Sequence, residues 1–187
     1  MTLETRLNTG QNSSTGGNRS YPASAYSHAL ALTLAALTAV TPVDGYSRGL
    51  PKALKNRPLS VKVDKNSSFP PSHIEANGMK YRLAKKIPVK ITHYNPTGPG
   101  LMQGKDKTAG RGITSTGRNA GRMDGAAADP KSIPYGSIVY VNGEWRVIDD
   151  TGGALRENHV DVRISGYREA LEKGVQRKTI LVYYLVD

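Results

Sequence analysis

The chain of 187 residues weighs 20.1 kDa, which is room for one domain with an extension or for two very small domains. Hydrophobic residues make up 37%, below the usual ~45–50%, so part of the chain does not form core. The absence of cysteine excludes a disulfide scaffold, a thiolate zinc site, a thiol nucleophile and an iron–sulfur cluster.

The net charge of +11 divides unevenly. Residues 1–90 hold 13 Lys and Arg against 4 Asp and Glu, a net of +9, while residues 91–187 hold 13 against 11, a net of +2. The basic excess of the first half favours a polyanionic partner: nucleic acid, anionic lipid, teichoic acid or an acidic protein.

In chain order, residues 1–24 are polar and turn-rich, with too little apolar surface to offset the entropy of ordering alone in water. Residues 29–40 are apolar on every side and helix-forming, but twelve residues are too few to span a bilayer, which needs about 20. Their length suits a signal-peptide core, an assembly helix or a membrane anchor. A signal peptide fits the flanks poorly, because Arg19 is the nearest basic residue upstream. Residues 41–86 combine prolines (Pro42, Pro51, Pro58, Pro70, Pro71) with lysines and arginines and predict a basic linker or arm, with one short strand over residues 60–64. No aromatic or Arg-rich base-reading element accompanies the charge, so specific nucleic-acid binding is not expected.

From Ile87 the pattern changes. Residues 89–94 alternate as a strand, and residues 95–122 are glycine-rich and irregular. Asp129-Pro130 pairs a helix-capping residue with a proline at the first helical position, which predicts a short turn or helix. Residues 137–141 and 144–148 flank Asn142-Gly143 and predict a hairpin with a type I′ turn. Ser165 is placed to cap a helix over residues 167–173, with Tyr167, Ala170 and Leu171 on one face and Gly174 past its end. Residues 179–186 predict the last and most buried strand. Short strands, one small helix and glycine-rich connections indicate a compact β-barrel.

Three aspartates stand at transitions in this half. Asp129 lies in Ala-Ala-Ala-Asp-Pro, Asp150 in Asp-Asp-Thr-Gly-Gly and Asp161 in His-Val-Asp-Val. Two carboxylates at close range do not both ionise easily, and a carboxylic acid of raised pKa protonates a glycosidic oxygen near neutral pH. Aspartates also cap turns and solvate loops, and spacing alone does not separate these readings. His93 and His159 flank the acids, but without a His-Glu-x-x-His or comparable spacing no metal site is expected. Ser115 and Ser137 lack the Gly-x-Ser-x-Gly setting of a nucleophile elbow. Gly98, Gly100, Gly110 and Gly112 are loop glycines without the pattern of a phosphate cradle.

Taken in order, Thr92-x-Tyr94, Thr114-x-Thr116-Gly117, Ala128-Asp129-Pro130, Ile133-Pro134-x-Gly136-Ser137, Asp150-Thr151-Gly152-Gly153-Ala154, Val160-Asp161, Ala170 and Gly174 resemble the 3D (three-aspartate) domain. That family includes membrane-bound lytic transglycosylase A and stationary-phase muralytic proteins of spore-forming bacteria. The resemblance covers residues 87–187. It implies a mainly β fold, a six-stranded double-psi β-barrel with one or two short helices, here preceded by an extended or helical N-terminal arm over residues 1–86.

The resemblance also implies an activity: lytic cleavage of the MurNAc–GlcNAc β-1,4 bond of a peptidoglycan glycan strand. Asp161 is then the catalytic acid and Asp150 its neighbouring carboxylate. Thr92, Tyr94, Thr116, Gly152 and Gly153 line the groove, and Asp129 is structural. No metal or cofactor is implied. Should water be the acceptor instead, Asp150 or Asp149 would activate it. Tyr94, Tyr135 and Trp145 are candidates to stack on sugars or to pack in the core. Glu157 and Arg163 depart from the family pattern beside the acid.

The setting implied is the bacterial cell envelope or extracellular space, or a phage virion or tail, with residues 1–86 as an assembly arm that binds protein partners. The alternative is a structural or assembly protein that reuses the barrel without activity.

Overall fold

The computed structural model describes residues 49–96 and 112–186. The polar segment 1–24, the apolar segment 29–40 and the loop glycines Gly98, Gly100 and Gly110 lie outside the described residues. Among those described are α1 (Lys52–Lys55), β1 (Val61–Lys62), β2 (His73–Ala76), β3 (Met79–Tyr94), β4 (Gly125–Ala128), β5 (Ile138–Val141), β6 (Glu144–Asp150), β7 (His159–Arg163), α2 (Tyr167–Lys173) and β8 (Gln176–Leu185). No helix among them is long and apolar enough to cross a membrane.

Six strands close into a ring. The order β3-β7-β4-β6-β5-β8 returns to β3 through the long antiparallel β3–β8 ladder. Two pairs are parallel, β3 with β7 and β4 with β6, and the rest are antiparallel. The described residues thus form a mainly β, closed six-stranded barrel with two short helices. Period-2 alternation sends one set of side chains inward. Val89, Ile91, Ala126, Ala128, Val139, Val141, Ile148, Val160, Val162, Ile180, Val182 and Tyr184 form the interior. Closure leaves the ring no unpaired edge.

A second apolar cluster lies on the outer wall. Ile138, Val147, Leu181 and Tyr183 pack there with Leu54, Ile74, Ala76 and Tyr81 of the N-terminal segment. Trp145 belongs to this cluster, edge-on to Tyr183 and tilted against Tyr140 at centroid distances of 5.4 and 4.8 Å. It is a packing residue, away from the candidate groove. The hairpin β2–β3 covers the same wall, and its turn, Asn77-Gly78, has positive φ at both residues.

The boundary expected at residue 87 falls inside β3. Residues 81–86 of that strand already pair with residues 181–185 of β8, so the segment 49–86 builds part of the sheet and of the outer cluster. Basic residues there mark a solvent-facing sheet surface as well as a linker.

The Asn142-Gly143 hairpin forms as its residues dictate, with φ of 54° and 86° at the turn and Val141 opposite Glu144. Asp129-Pro130 makes a turn, in which the Asp129 carbonyl accepts from the amides of Ser132 and Ile133. Helix α2 spans the expected residues, and Gly174 ends it at φ 54°. Its N-cap is Gly166, with no side-chain cap, in place of Ser165. Ala170 packs on the core, whereas Leu171 is 63% exposed, so the apolar face is narrower than expected.

Candidate active site

Side chains that point away from the barrel interior form a row across its outer wall. Thr92 of β3 pairs with Asp161 of β7, and Asp161 pairs with Ala127 of β4. Ala127 in turn pairs with Asp150 of β6. Residues directly opposite one another share a face, so Thr92, Asp161, Ala127 and Asp150 lie side by side. The two aspartates are two strand spacings apart, roughly 10 Å between Cα atoms. A bulge makes this possible. Ala126 pairs with Ile148 and Ala127 with Asp150, which leaves Asp149 as the extra residue of β6. Simple alternation would turn Asp150 inward after an outward Asp149. The bulge resets the phase and puts both carboxylates on the outer side.

Asp161 is half-buried. Thr92 Oγ1 donates to its Oδ1 at 2.7 Å, and Thr92 Oγ1 also lies 3.0 Å from His159 Nε2. Burial pushes the Asp161 carboxyl above the ordinary aspartate range and Asp150 adds to the rise, while Thr92 and Lys90 oppose it. The result is an acid that keeps its proton to higher pH than a solvated aspartate. His159 is lowered, by burial first and by Lys90 second.

Asp150 is a heavily solicited acceptor. Its Oδ1 receives the Ser115 amide at 2.9 Å, the Ser115 hydroxyl at 2.5 Å and the Thr151 amide at 2.9 Å. Its Oδ2 receives the Tyr94 hydroxyl at 3.3 Å, and Arg163 Nη2 stands 3.9 Å away. Donors on both oxygens fix the orientation of the carboxyl group.

Beneath the row lies a buried ionic network. Asp149 and Arg163 have no exposed side-chain surface, and Arg163 Nη2 meets Asp149 Oδ1 at 2.5 Å. Arg118, also fully buried, donates to Asp149 Oδ2 at 3.0 Å and to both oxygens of Asp124 at 2.7 and 2.8 Å. Arg163 Nε donates to the Tyr94 hydroxyl at 2.9 Å. Burial opposes the charge on Arg163, but Asp149 and Tyr94 outweigh it and hold the guanidinium protonated. Burial also pushes the Tyr94 hydroxyl well above its ordinary value. Asp149, walled off from water, cannot activate it, which removes that residue from the hydrolytic alternative.

Small residues of β4 make room for this layer. A Cβ on Gly125 would lie 2.5 Å from both Arg163 Nη1 and Asp149 Oδ2. Arg118 also donates to the carbonyls of Leu54 and Arg57, and Asp124 Oδ2 accepts from the Leu59 amide. The N-terminal segment is thereby tied to the layer under the acids.

The remaining expected site residues divide as follows. Thr116 donates to the Asp149 carbonyl at 2.7 Å and pairs with Thr114 Oγ1 at 3.0 Å, so its hydroxyl holds the 114–118 turn. Tyr94 bridges Arg163 and Asp150. Gly152 and Gly153 lie exposed in the loop between β6 and β7, and a Cβ at either finds ordinary space. Asp129 Oδ1 accepts from the Lys131 amide at 3.0 Å and closes the turn leading to Ile133-Pro134. Tyr135 is half-buried, its hydroxyl raised by burial, opposed by a hydrogen bond with Ser115 and increased by Asp150, which sets it beside those two residues. Glu157 is exposed in the turn before β7. Arg163 is a buried partner of Asp149, and its hydrogen bonds go to Asp149, Tyr94 and the Arg122 carbonyl. Among the described residues no group of three metal-ligating side chains converges.

Sequence reasoning missed Arg118 altogether, and it named Asp149, Ser115 and His159 without the contacts they make here: Asp149 as partner of two buried arginines, Ser115 as donor to Asp150 and His159 as neighbour of Thr92. The adjacent pair Asp149-Asp150 at a strand end was a signal for buried cations. Arg163, two residues beyond Asp161, shares its face by alternation.

The family model of the 3D domain matches residues 125–186. The chain is also 30% identical over 113 residues to "Cell wall-binding protein YocH" of Bacillus subtilis (strain 168). That alignment takes in 58% of this chain and 36% of the relative, so the chain spans about a third of the relative's length. The matched family segment contains β4 to β8 and all three aspartates on which the resemblance rests, Asp129, Asp150 and Asp161. With the closed six-stranded barrel beneath them, this chain carries a 3D domain.

Proposed function

We propose that the protein acts on the peptidoglycan of bacterial cell walls as a lytic transglycosylase. The observation that carries this reading is the pair on the outer wall: an acid of raised pKa, Asp161, in register with a second carboxyl group held in place by donors, Asp150. The 3D domain and the wall-binding name of the Bacillus relative support the same substrate.

Asp161 donates its proton to the oxygen between MurNAc C1 and GlcNAc. Positive charge develops at C1 as the bond breaks, and the Asp150 carboxylate favours it electrostatically. Asp161, now ionised, removes the proton of the MurNAc C6 hydroxyl. The C6 oxygen attacks C1 and closes a 1,6-anhydro ring. One carboxylate serves as acid and then as base, and the proton balance closes without a cofactor. General acid–base assistance supplies about 10²–10⁴-fold, and binding along the groove must supply the rest.

The test is mass spectrometry of soluble products from purified peptidoglycan. Wild type releases anhydro-muropeptides, and Asp161→Asn releases none while keeping its circular dichroism. Reducing-end products in their place would make the protein a hydrolase. A second reading, wall binding without cleavage, is favoured by the name of the Bacillus relative, a cell wall-binding protein, and by the departures at Glu157 and Arg163. It predicts sedimentation with intact walls and no soluble product. An envelope, extracellular or virion location follows from the substrate, which lies outside the cytoplasmic membrane. Binding of residues 1–86 to envelope or virion proteins is part of the proposal, tested by whether the chain copurifies with such an assembly only when residues 1–48 are present, since residues 49–86 are needed for the barrel itself.

A further inference from the structure

A threonine hydroxyl has one proton. Thr92 gives it to Asp161 Oδ1 at 2.7 Å. The 3.0 Å contact between Thr92 Oγ1 and His159 Nε2 can then be a hydrogen bond only if Nε2 carries the proton and donates it to Thr92. The chain runs in one direction, from His159 Nε2–H to Thr92 Oγ1–H to Asp161 Oδ1. Register holds all three in place: Lys90 pairs with His159 and Thr92 with Asp161, along the parallel β3–β7 ladder.

We propose that His159 is a positioning residue which, through Thr92, occupies Oδ1 of Asp161 and reserves Oδ2 for the proton that the acid transfers. The proposal rests on the lytic reading only for the use made of that proton. The hydrogen-bond order itself does not depend on it. If His159 carried its proton on Nδ1 instead, Nε2 would accept from Thr92, and Oδ1 would lose its donor. A carboxyl group with Oδ1 free could carry its proton on either oxygen, and only one faces the groove in a given rotamer. Protonation of His159 to the cation keeps the Nε2 donor, so the order survives on both sides of the histidine's titration. The charged groups that act on this cluster are Lys90 of β3 on both His159 and Asp161, and Asp150 of β6 on Asp161. Arg163, on the same strand as both, turns its guanidinium to Asp149.

Full-length protein labelled with ¹³C at aspartate carboxyl groups reads the cluster directly, the Asp161 resonance being the one lost in Asp161→Asn. Thr92→Val should move the Asp161 titration midpoint upward, because a bond favouring the ionised form is gone. His159→Phe should move it upward by a smaller amount, and His159→Gln, which keeps a donor near the Nε2 position, should restore it. In the Thr92→Val background, His159→Phe should add nothing, since its effect passes through the hydroxyl. An unchanged midpoint in His159→Phe overturns the proposal. So does an equal shift with and without Thr92, which would mean that the histidine acts on the acid by charge or solvation. The alkaline limb of the lytic pH profile should follow the same order. Titrations in this order from a protein that releases no product would uphold the hydrogen-bond order and overturn the lytic reading alone.

Discussion

Asp150 and Asp161 stand opposite the same residue, Ala127, one through the parallel ladder of β4 with β6 and the other through the antiparallel ladder of β4 with β7. The separation of the two carboxylates is therefore set by strand spacing, and a one-residue change of register would break it. The residue between them, Ala127, carries a small side chain and is buried at 4% exposure. The ladders make the pair a rigid element of the barrel, whereas loops supply only the donors that orient Asp150.

Asp161→Asn should stabilise the fold at neutral pH. The native carboxyl is raised above its ordinary value of 3.8, so between that value and the raised one the folded state holds more proton than the unfolded state. Stability of the wild type then falls as pH rises through this window. Asparagine does not ionise and escapes the loss. Thermal melts should show the variant above wild type at pH 7, with the difference vanishing in acid below the ordinary aspartate range. A variant that melts below wild type at pH 7 would contradict this.

Asp150→Asn and Lys90→Gln should move the alkaline limb of the pH–rate profile in opposite directions. Asp150 raises the Asp161 carboxyl, so its removal lets the proton leave at lower pH and the limb shifts downward. Lys90 lowers the same carboxyl, so Lys90→Gln shifts the limb upward. Initial rates of product release across pH measure both. Shifts of one sign in both variants would count against Asp161 as the titrating group.

Gly125→Ala should break the buried network. The added Cβ falls 2.5 Å from Arg163 and Asp149, and neither can retreat without losing its partner. A cost of about 1–3 kcal/mol is expected from such overpacking. Asp149→Asn leaves Arg118 and Arg163 buried with one charge too few between them and should cost about 3–5 kcal/mol. Urea unfolding at constant m-value reads both.

A chain lacking residues 1–48 should melt cooperatively, and one lacking residues 1–86 should not. The longer deletion removes the half of β3 that pairs with the end of β8 and exposes Leu181 and Tyr183. It also removes the carbonyls of Leu54 and Arg57 that receive Arg118. Calorimetry of the two truncated chains decides it. A sharp transition in the shorter one would mean that the ladder from residue 87 onward suffices.

Local chemistry was legible wherever a residue imposes its own geometry. Asn142-Gly143 fixed a hairpin because both positions need positive φ, alternation in residues 89–94 put Val89 and Ile91 on the buried face, and the apolar run at 179–186 became the buried last strand. The order of motifs around Asp129, Asp150 and Asp161 was enough to suggest the barrel. What the sequence could not contain was the closure of the ring. The bulge at Asp149, the common partner Ala127 and the buried Arg118–Asp149–Arg163 layer depend on contacts between residues 14 to 34 positions apart. The N-terminal segment looked like a free basic arm because its few apolar residues, Leu54, Ile74, Ala76 and Tyr81, are too sparse to pattern alone. They become core only against Ile138, Val147, Leu181 and Tyr183, which the barrel brings to one wall. Backbone propensity and side-chain period act over a few residues and can be read along the chain. Pairing of buried charges and burial of scattered apolar groups are settled by which strands become neighbours, and tertiary structure alone decides that.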